Sequence, residues 1–521
     1  MQKILFALSI LFSTSLSAQS IEESSKKFDY LLNVIDRTYV DSTSAEDLVE
    51  DAILGMLKEL DPHSAYIAAE DVAKTNEGLV GNFEGIGIQF NIFKDTIMVV
   101  SPISGGPSEK LGIQSGDRIC VIDGENVAGI GIKNDGVGKR LRGKKGTEVI
   151  VGIKRRGVTE LIDYTIIRDK IPIFSMDAAY MATEDIGYIK INRFSATTMR
   201  EFNKGLDTLE TQGMKHLILD LRGNSGGYLS TAIKLADQFL EANKLIVYTE
   251  GRNFPKDEKF STSTGRVEKG KLVVLINRGS ASASEIVSGA VQDNDRGIIV
   301  GTRSFGKGLV QKPYKLPDGS IVRLTIQRYH SPTGRCIQKP YDDYKDDYTK
   351  RMESGELFHA DSIDFPDSLK YTTPNGRTVY GGGGIMPDVF VPVDTSMSST
   401  YYTNLLRKGV LYQFTLDYMD KHREELLEKY QTVDQFQKGF QIDKKLLDEF
   451  IAYGEKKKVE YNEEDFKISE KPIINLIKAQ FARNLWNTSA YFQLYNQINP
   501  DFIKAIEVIN DDSFDKMKLS Y

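Results

Sequence analysis

A serine in a turn of small residues is the first candidate for chemistry in this sequence. Ser282 lies within residues 277–286, which join a predicted strand ending at Ile276 to a predicted helix beginning at Ala283. Small side chains on both sides of such a turn leave one face open to a substrate. The turn is therefore predicted to expose a hydroxyl group that could act as a nucleophile.

A lysine between two glycines follows a short distance along the chain. Lys307 stands between Gly306 and Gly308, and Gln311 comes four residues after it. If this segment is a strand, its side chains alternate between two faces, so Lys307, Leu309 and Gln311 share one face. The spacing predicts that the amine and the amide side chain can meet.

The order of Ser282, Lys307 and Gln311, together with the motifs around them, resembles the carboxyl-terminal processing peptidases, a serine peptidase family with a Ser-Lys catalytic pair. The resemblance implies that Ser282 is the nucleophile, Lys307 the general base and Gln311 the residue that orients the lysine. It also implies an α/β fold class, with a crotonase/ClpP-like ββα catalytic core. The further motifs that carry the resemblance, within about residues 28–393, are Leu60–Tyr66, Asp220–Gly227 and Tyr380–Asp388.

The same resemblance implies the remaining parts of a peptidase site. The backbone N–H groups of Ala283 and Gly227 would form the oxyanion hole, and no cofactor is expected because all reacting groups belong to the protein. A lysine with an ordinary pKa of about 10.4 is protonated at neutral pH, so burial must lower the pKa of Lys307 before it can act as a base.

Each of these residues also has a structural explanation. Ser282 with Glu285 three residues later fits a helix capping box, and Ser280 and Ser284 are rival hydroxyls in the same turn. Taken alone, the lysine would be a solvated surface residue and the glutamine a polar residue of an edge strand. Only the whole set in its family spacing favours catalysis.

Other chemistries have weaker support. A Ser-His-Asp arrangement would need one of the five histidines, but His63 and His330 lie beside prolines in segments where a structural role is expected. No histidine or cysteine spacing fits a metal site. Residues 220–227 lack the Gly-Lys-Ser/Thr ending of a phosphate loop.

Residues 84–90 and 111–124 look like a PDZ domain. Such a domain binds a free C-terminus as an added strand, while N–H groups of a turn hold the carboxylate. The turn that we assign to this role comprises Gly85, Ile86, Gly87 and Ile88. A rigid domain that binds no peptide is the alternative. Arg168, at the exit of the domain, is placed either to couple it to the catalytic domain or to form an ordinary surface ion pair.

Changes of residue pattern divide the chain into five parts. The predicted parts are a signal peptide (1–18), an N-terminal helical region (19–80), the inserted β-rich PDZ domain (81–168), the catalytic domain (169–395) and a C-terminal helical extension (396–521). Lys3, an apolar run and small residues are typical of a secretory signal, and no later run is long enough for a stable membrane anchor. The extension is expected to pack on the catalytic domain; a dimer contact or a docked partner remains open.

Composition narrows the class of protein. With 521 residues, 40% hydrophobic and 27% charged, the chain is neither disordered nor a multi-span membrane protein. A net charge of −6 gives no basic surface for nucleic acid. The two cysteines, Cys120 and Cys336, are expected to be buried free thiols, with one long-range disulfide as the alternative.

These observations predict an exported, periplasmic endopeptidase that binds protein or peptide substrates with free apolar C-termini and cleaves them through an acyl-enzyme. A non-catalytic PDZ adaptor and a hydrolase of lipids or small esters are the alternatives. The sequence leaves open whether the protein forms a homo-oligomer.

Overall fold

The structure of the protein is a computed structural model that describes residues 21–341, 344, 346–359, 362–363 and 366–521. The predicted signal peptide, residues 1–18, lies outside the described residues. The described residues divide into two compact units, one comprising those up to residue 72 and residues 311–325, and the other comprising those within 73–310 and 326–521. None of the helices described is both long and apolar enough to cross a membrane.

The first unit begins with two helices and a short strand. They are α1 (residues 21–38), α2 (Ala45–Lys58) and β1 (Ala65–Ile67). Ser44 caps α2 by accepting the Asp47 N–H at 3.2 Å, which satisfies one of the donors that a helix leaves unpaired at its start. β1 pairs antiparallel with residues 321–323. The predicted N-terminal helical region therefore also contains a strand.

Residues 82–172 of the second unit form the β-rich module, which follows helix α3 (Val72–Val80). Its elements are β2 (Asn82–Gly85), β3 (Ile88–Phe93), β4 (Thr96–Pro102), α4 (Pro107–Lys110), β5 (Arg118–Ile122), β6 (Glu125–Asn126), α5 (Asn134–Leu141), β7 (Glu148–Lys154), β8 (Ile162–Ile167) and β9 (Asp169–Pro172). Its main sheet is antiparallel in the order β3-β4-β5-β7-β8, and β2 pairs with β9. β3 is therefore an edge strand.

The following part of the chain alternates strands and helices, as predicted. Its elements are β10 (Met176–Met181), β11 (Ile186–Ile191), α6 (Thr198–Thr211), β12 (His216–Asp220), α7 (Leu229–Asp237), β13 (Leu245–Gly251), β14 (Phe254–Phe260), β15 (Leu272–Ile276), α8 (Ala283–Asp293), β16 (Ile298–Gly301), β17 (Leu309–Lys315), β18 (Ile321–His330), α9 (Asp347–Glu353), β19 (Lys370–Thr372), β20 (Thr378–Tyr380) and β21 (Val389–Phe390).

A six-stranded sheet organises this part, in the order β10-β11-β12-β15-β16-β21. All neighbours pair in parallel except β10, which is antiparallel to β11. Every residue of β15 is buried and apolar, which is the pattern of a parallel strand covered on both faces. Helices α6, α7 and α8 supply buried residues to one face, through Phe202, Leu235 and Val287.

The C-terminal extension is helical, as predicted. It consists of α10 (Thr400–Arg407), α11 (Val410–Lys429), α12 (Val433–Gly439), α13 (Lys444–Lys456), α14 (Glu463–Leu485), α15 (Thr488–Tyr495), α16 (Pro500–Asn510) and α17 (Ser513–Lys516).

The extension covers the other face of the six-stranded sheet. Phe502 and Val508 of α16 share a buried cluster with Ile218 and Val273 of the sheet. The expected packing on the catalytic part is thus confirmed, and so is the fold class, an α/β chain with a β-rich insertion and helical regions at both ends. Cys120 and Cys336 are both free thiols, and each is half-buried.

Candidate active site

Ser282 occupies the turn between β15 and α8 in a strained backbone conformation. Its φ is +53° and its ψ is −112°, although residues with a Cβ rarely adopt a positive φ. Strain of this kind persists only where the surrounding structure enforces it, and it concentrates at functional sites. The residue is half-buried, so part of it remains accessible to solvent.

The two rival hydroxyls in this turn serve the fold. Ser280 and Ser284 are fully buried. The Ser280 hydroxyl donates to the carbonyl of Leu221 at 2.9 Å, and the Ser284 hydroxyl donates to the carbonyl of Asn224 at 2.8 Å. Because a buried carbonyl is costly to leave unpaired, neither hydroxyl is a suitable nucleophile.

Glu285 joins the segment of the candidate nucleophile to that of the candidate base. Its buried carboxylate accepts four hydrogen bonds. Oε2 accepts the N–H groups of Ser282 at 2.8 Å and of Lys307 at 2.9 Å. Oε1 accepts the Ser304 hydroxyl at 2.5 Å and the Gly306 N–H at 2.6 Å. A single carboxylate therefore fixes the backbone of both residues.

Sequence reasoning identified Glu285 only as part of a capping box. That box is present, but the bonds to the lysine segment were missed. Burial raises the pKa of Glu285, while its four hydrogen bonds favour the charged form and oppose the rise. A signal existed in the sequence, because α8 has no continuous polar face and a glutamate within it must find its partners inside the protein.

Tyr329 makes a second link between the two segments. Its buried hydroxyl lies 3.1 Å from the carbonyl oxygen of Ser282 and 2.7 Å from that of Lys307. Burial raises its pKa well above the ordinary value, so the hydroxyl keeps its proton and can donate. Within the described residues, these contacts bring Ser282 and Lys307 together through their backbones, and no hydrogen bond joins the Ser282 hydroxyl to the Lys307 amine.

The expectation that Lys307 lies on a strand is wrong. β17 begins at Leu309, and Lys307 belongs to the preceding loop, where it is half-buried. The reason lies in the backbone hydrogen bonds. The Lys307 N–H donates to Glu285, and the Gly308 N–H donates to the Gln338 side chain at 2.9 Å. Side chains thus take the place of a neighbouring strand.

Gln311 lies in the first unit, where its side-chain amide donates to the His63 carbonyl at 2.6 Å. The Asp61 carboxylate holds the turn that carries this carbonyl. It accepts the His63 N–H at 2.8 Å and the Ser64 hydroxyl at 2.6 Å. Burial raises the Asp61 pKa, but these hydrogen bonds outweigh it and lower the pKa overall. The Leu60–Tyr66 motif thus positions Gln311, whose role toward Lys307 stays a prediction.

The predicted oxyanion donors lie on two turns of the second unit that are joined by Asn224. Its carbonyl accepts the N–H of Ala281 at 3.0 Å. Gly227 has a φ of +146°, and a Cβ there would lie 2.0 Å from the Phe194 carbonyl oxygen, so only glycine fits. Among the described residues, the N–H groups of Gly227 and Ala283 donate no hydrogen bond. Both can therefore donate to a bound oxygen atom.

His330 has a structural environment. Its Nδ1 lies 3.1 Å from the Gly334 carbonyl oxygen, its Nε2 lies 3.3 Å from the Glu250 carboxylate, and its ring stacks on Tyr248. No cluster of three or more possible metal ligands occurs in the described part of the chain.

A groove with a volume of about 400 Å³ lies along the edge strand of the β-rich module. Ile86, Gly87 and Ile88 line it beside β3, and α5 lines the opposite side, whereas Gly85 pairs with Asp169 in β2. Gly87 has a φ of +76°. Among the described residues, the N–H groups of Ile86 and Gly87 donate no hydrogen bond. Three of the four residues assigned to the peptide-binding turn therefore line the groove.

Arg168 is buried, and no acidic side chain among the described residues forms an ion pair with it. Its guanidinium donates to the carbonyls of Arg140 at 2.9 Å, Leu141 at 3.2 Å and Glu148 at 2.8 Å, and to the Thr147 hydroxyl at 3.0 Å. The residue thus binds the carboxyl end of α5, next to the groove. All these partners lie within the β-rich module, and coupling to the catalytic part stays a prediction.

Comparisons with known proteins agree with this arrangement. Models of three named families match successive parts of the chain: the activating protease CtpB N-terminal domain (residues 10–71), the PDZ domain (85–166) and peptidase family S41 (185–348). A family of unknown function matches residues 401–487.

The chain is also similar to individual proteins. The chain is 38% identical to the carboxy-terminal processing protease CtpA of Bacillus subtilis, over 63% of this chain and 70% of the relative. It is 37% identical to the carboxy-terminal-processing protease of Bartonella bacilliformis, over 64% of this chain and 80% of the relative. Among solved structures, the photosystem II D1 C-terminal processing protease is 26% identical, with a TM-score of 0.36, over 71% of this chain and 93% of that chain.

Proposed function

Because the chain belongs to peptidase family S41, the carboxy-terminal processing serine proteases, we propose that it cleaves peptide bonds with Ser282 as nucleophile and Lys307 as general base. In the first step, the neutral Lys307 amine takes the proton of the Ser282 hydroxyl while Oγ attacks the carbonyl carbon. The N–H groups of Gly227 and Ala283 then donate to the oxyanion, and losing one such donor typically costs about 3–4 kcal/mol.

In the following steps Lys307 acts first as an acid and then again as a base. The C–N bond breaks, the Lys307 ammonium gives its proton to the leaving amine, and an ester to Ser282 remains. A water molecule then attacks this ester while Lys307 accepts its proton. The bond between the acyl carbon and Oγ breaks, the Lys307 ammonium returns the proton to Oγ, and the acid product leaves. Gln311 orients the lysine throughout. The cycle uses only protein groups and water.

The observation that supports this mechanism most strongly is the buried Glu285 carboxylate. It accepts the N–H groups of both Ser282 and Lys307 on one oxygen, at 2.8 and 2.9 Å. A lone surface lysine or a simple helix cap does not require this arrangement. A proton transfer from Ser282 to Lys307, in contrast, requires the two backbones to be held close together, as this carboxylate holds them.

We further propose that the PDZ domain captures the substrate. The free apolar C-terminus would add as a strand to the edge of β3, with its carboxylate held by the N–H groups of Ile86 and Gly87. The N-terminal residues 1–18 would direct export to the periplasm. An adaptor without catalysis would use the same groove but leave its ligand intact.

Two substitutions test the catalytic pair. Ser282→Ala and Lys307→Ala should each lower kcat/KM on an unfolded protein with an apolar C-terminus by about 1,000-fold or more. Lys312→Ala, at an exposed lysine of β17, is the matched control and should keep the rate. Unchanged cleavage in either active-site variant would contradict the mechanism. Tail binding without any cleavage by the wild-type protein would support the adaptor instead.

The pH profile gives a second test. Only the neutral form of Lys307 can accept a proton, so the rate should fall as the pH drops through the pKa of this lysine. The measurement is kcat against pH under conditions where chemistry limits the rate. A rate that is flat from about pH 5 to 9 would rule out the lysine base.

A further inference from the structure

The peptide groove has a wall that the PDZ domain does not supply. Besides β3 and α5, the groove is lined by Tyr412 of α11 and Arg483 of α14, which belong to the C-terminal extension. Asn91 of β3 lines the groove as well, and Tyr412 packs against the buried cluster that contains Phe93, two residues further along the same strand. The extension, matched to a family of unknown function, therefore takes part in the binding site.

This wall is held firmly against the PDZ domain. Arg118 of β5 forms an ion pair with Asp420 of α11 at 3.1 Å, and Arg156 donates to the Asp420 carbonyl. Phe93 and Met98 form a buried apolar cluster with Leu416 of α11. The contact thus combines charge and apolar packing, and Tyr412 packs against the same cluster.

The position of the wall determines which part of a bound tail meets it. With the carboxylate at Ile86 and Gly87, before β3, the added strand must run back along β3 toward Asn91. A strand advances about 3.3 Å per residue, so Asn91 and the neighbouring Tyr412 lie beside the residue about three or four positions before the C-terminus. The terminal apolar residue itself lies at the other end of the groove.

The charge of the wall is positive. Two arginines line the groove. Arg142 belongs to the PDZ domain and is paired with Glu77 at 2.7 Å, so the charge of the wall comes from Arg483. Arg483 is exposed and, among the described residues, makes no ion pair. Burial raises the pKa of Asp177, and the charge of Arg483 is among those that oppose this rise; the Asp177 side chain accepts a hydrogen bond from Asn192 at 2.6 Å. Burial raises the pKa of Tyr412, so its phenol is neutral and can donate.

We propose that Arg483 and Tyr412 form a specificity site that selects tails with a carboxylate side chain about three or four residues before an apolar C-terminus. The inference rests on the proposed capture of tails by the PDZ domain. Arg483 supplies the complementary charge and Tyr412 a hydroxyl donor, so aspartate or glutamate at this position should bind more tightly than an uncharged residue.

The test measures the binding of labelled ten-residue peptides to the full chain carrying Ser282→Ala, which cannot cleave them. Two peptides share one apolar C-terminal residue and differ only in glutamate or glutamine at the fourth residue from the end. The glutamate peptide should bind about fivefold more tightly, as expected for one partly exposed ion pair. Arg483→Gln should abolish this difference.

Further variants separate this inference from the proposed function. Arg483→Glu should reverse the preference, and Lys471→Gln, an exposed lysine on the same helix, should keep it. Equal affinity of the two peptides, or an equal loss of both in Arg483→Gln, would overturn the specificity site and leave tail capture intact. If neither peptide binds while the wild-type protein still cleaves unfolded substrates, tail capture and the specificity site both fail but the Ser-Lys mechanism stands.

Discussion

At the scale of single residues, the site depends on a buried charge that touches no substrate. Burying a carboxylate is costly unless donors surround it, and Glu285 has four. Two of them belong to the candidate nucleophile and base, so the same bonds that keep the charge inside the protein also fix the distance between the two segments. Glu285 is therefore a positioning residue.

Glu285→Gln tests this role with almost no change of shape. An amide has one oxygen and one NH₂ group, so in either orientation the NH₂ faces a pair of former donors. Each buried donor left unpaired costs about 1–3 kcal/mol. We expect kcat to fall at least tenfold and the free energy of unfolding to fall by about 2 kcal/mol or more, while the affinity of the PDZ domain for peptides is unchanged.

Ser288→Ala is the matched control for this substitution. The Ser288 hydroxyl is buried one turn further along α8 and donates to the Ser284 carbonyl at 2.8 Å. Its loss should lower the free energy of unfolding by about 1 kcal/mol and leave kcat nearly unchanged. If both variants lose kcat in proportion to stability, Glu285 supports only the fold.

The sequence predicted some of the site residues but not the contacts that position them. The turn of small residues pointed to three serines, and the resemblance selected Ser282. Burial, which the sequence does not reveal directly, explains why Ser280 and Ser284 are unsuitable. The role of Glu285 could not be predicted, because its partners at residues 304–307 are distant in sequence and no sequence pattern links them to it.

At the scale of elements, two glycine-containing turns carry the predicted oxyanion donors. Gly227 lies so close to the Phe194 carbonyl that a Cβ would approach its oxygen to 2.0 Å. Gly223, in the same turn, has a φ of +71° but no atom within 4 Å of a Cβ. An alanine at Gly223 would therefore suffer backbone strain alone, whereas an alanine at Gly227 would also overlap a backbone atom.

Substituting these glycines by alanine should therefore have different effects. Gly223→Ala should cost about 1–2 kcal/mol of unfolding free energy, the price of a left-handed conformation, and keep most activity. Gly227→Ala must also move the backbone, and we expect a loss of more than about 3 kcal/mol together with loss of cleavage. Equal stability and activity in the two variants, measured by chemical denaturation and peptide hydrolysis, would contradict the close packing of this turn.

The elements themselves differed in how well the sequence predicted them. Leu272–Ile276 is a continuous apolar run between polar segments, and such a run is typical of a buried parallel strand. Lys307 was predicted on a strand from the alternation of side chains. That pattern cannot show that the N–H groups of this segment donate to side chains rather than to a neighbouring strand. Nor could the apolar faces of the C-terminal helices reveal what they cover.

At the scale of the whole molecule, the C-terminal extension completes the core of the catalytic part. Phe502 packs edge-on against Tyr188, with ring centroids 5.4 Å apart, and the Tyr188 hydroxyl donates to Asp220 at 2.6 Å. Arg222 binds Asp220 at 2.6 Å and Asp501 of α16 at 2.7 Å. The extension therefore contacts the strand end from which the glycine turn begins.

Phe502→Ala and Ile503→Ala test this docking with neighbouring residues of one helix. Phe502 is 7% exposed and Ile503 is 41% exposed. Removing the buried ring should cost about 3–5 kcal/mol of unfolding free energy, because the cavity cannot fully collapse. Removing the exposed side chain should cost less than about 1 kcal/mol. Since the cavity opens beside Tyr188 and Asp220, the Phe502 variant should also lose cleavage at lower temperature than the Ile503 variant. Indistinguishable stabilities would mean that α16 does not cover the sheet in solution.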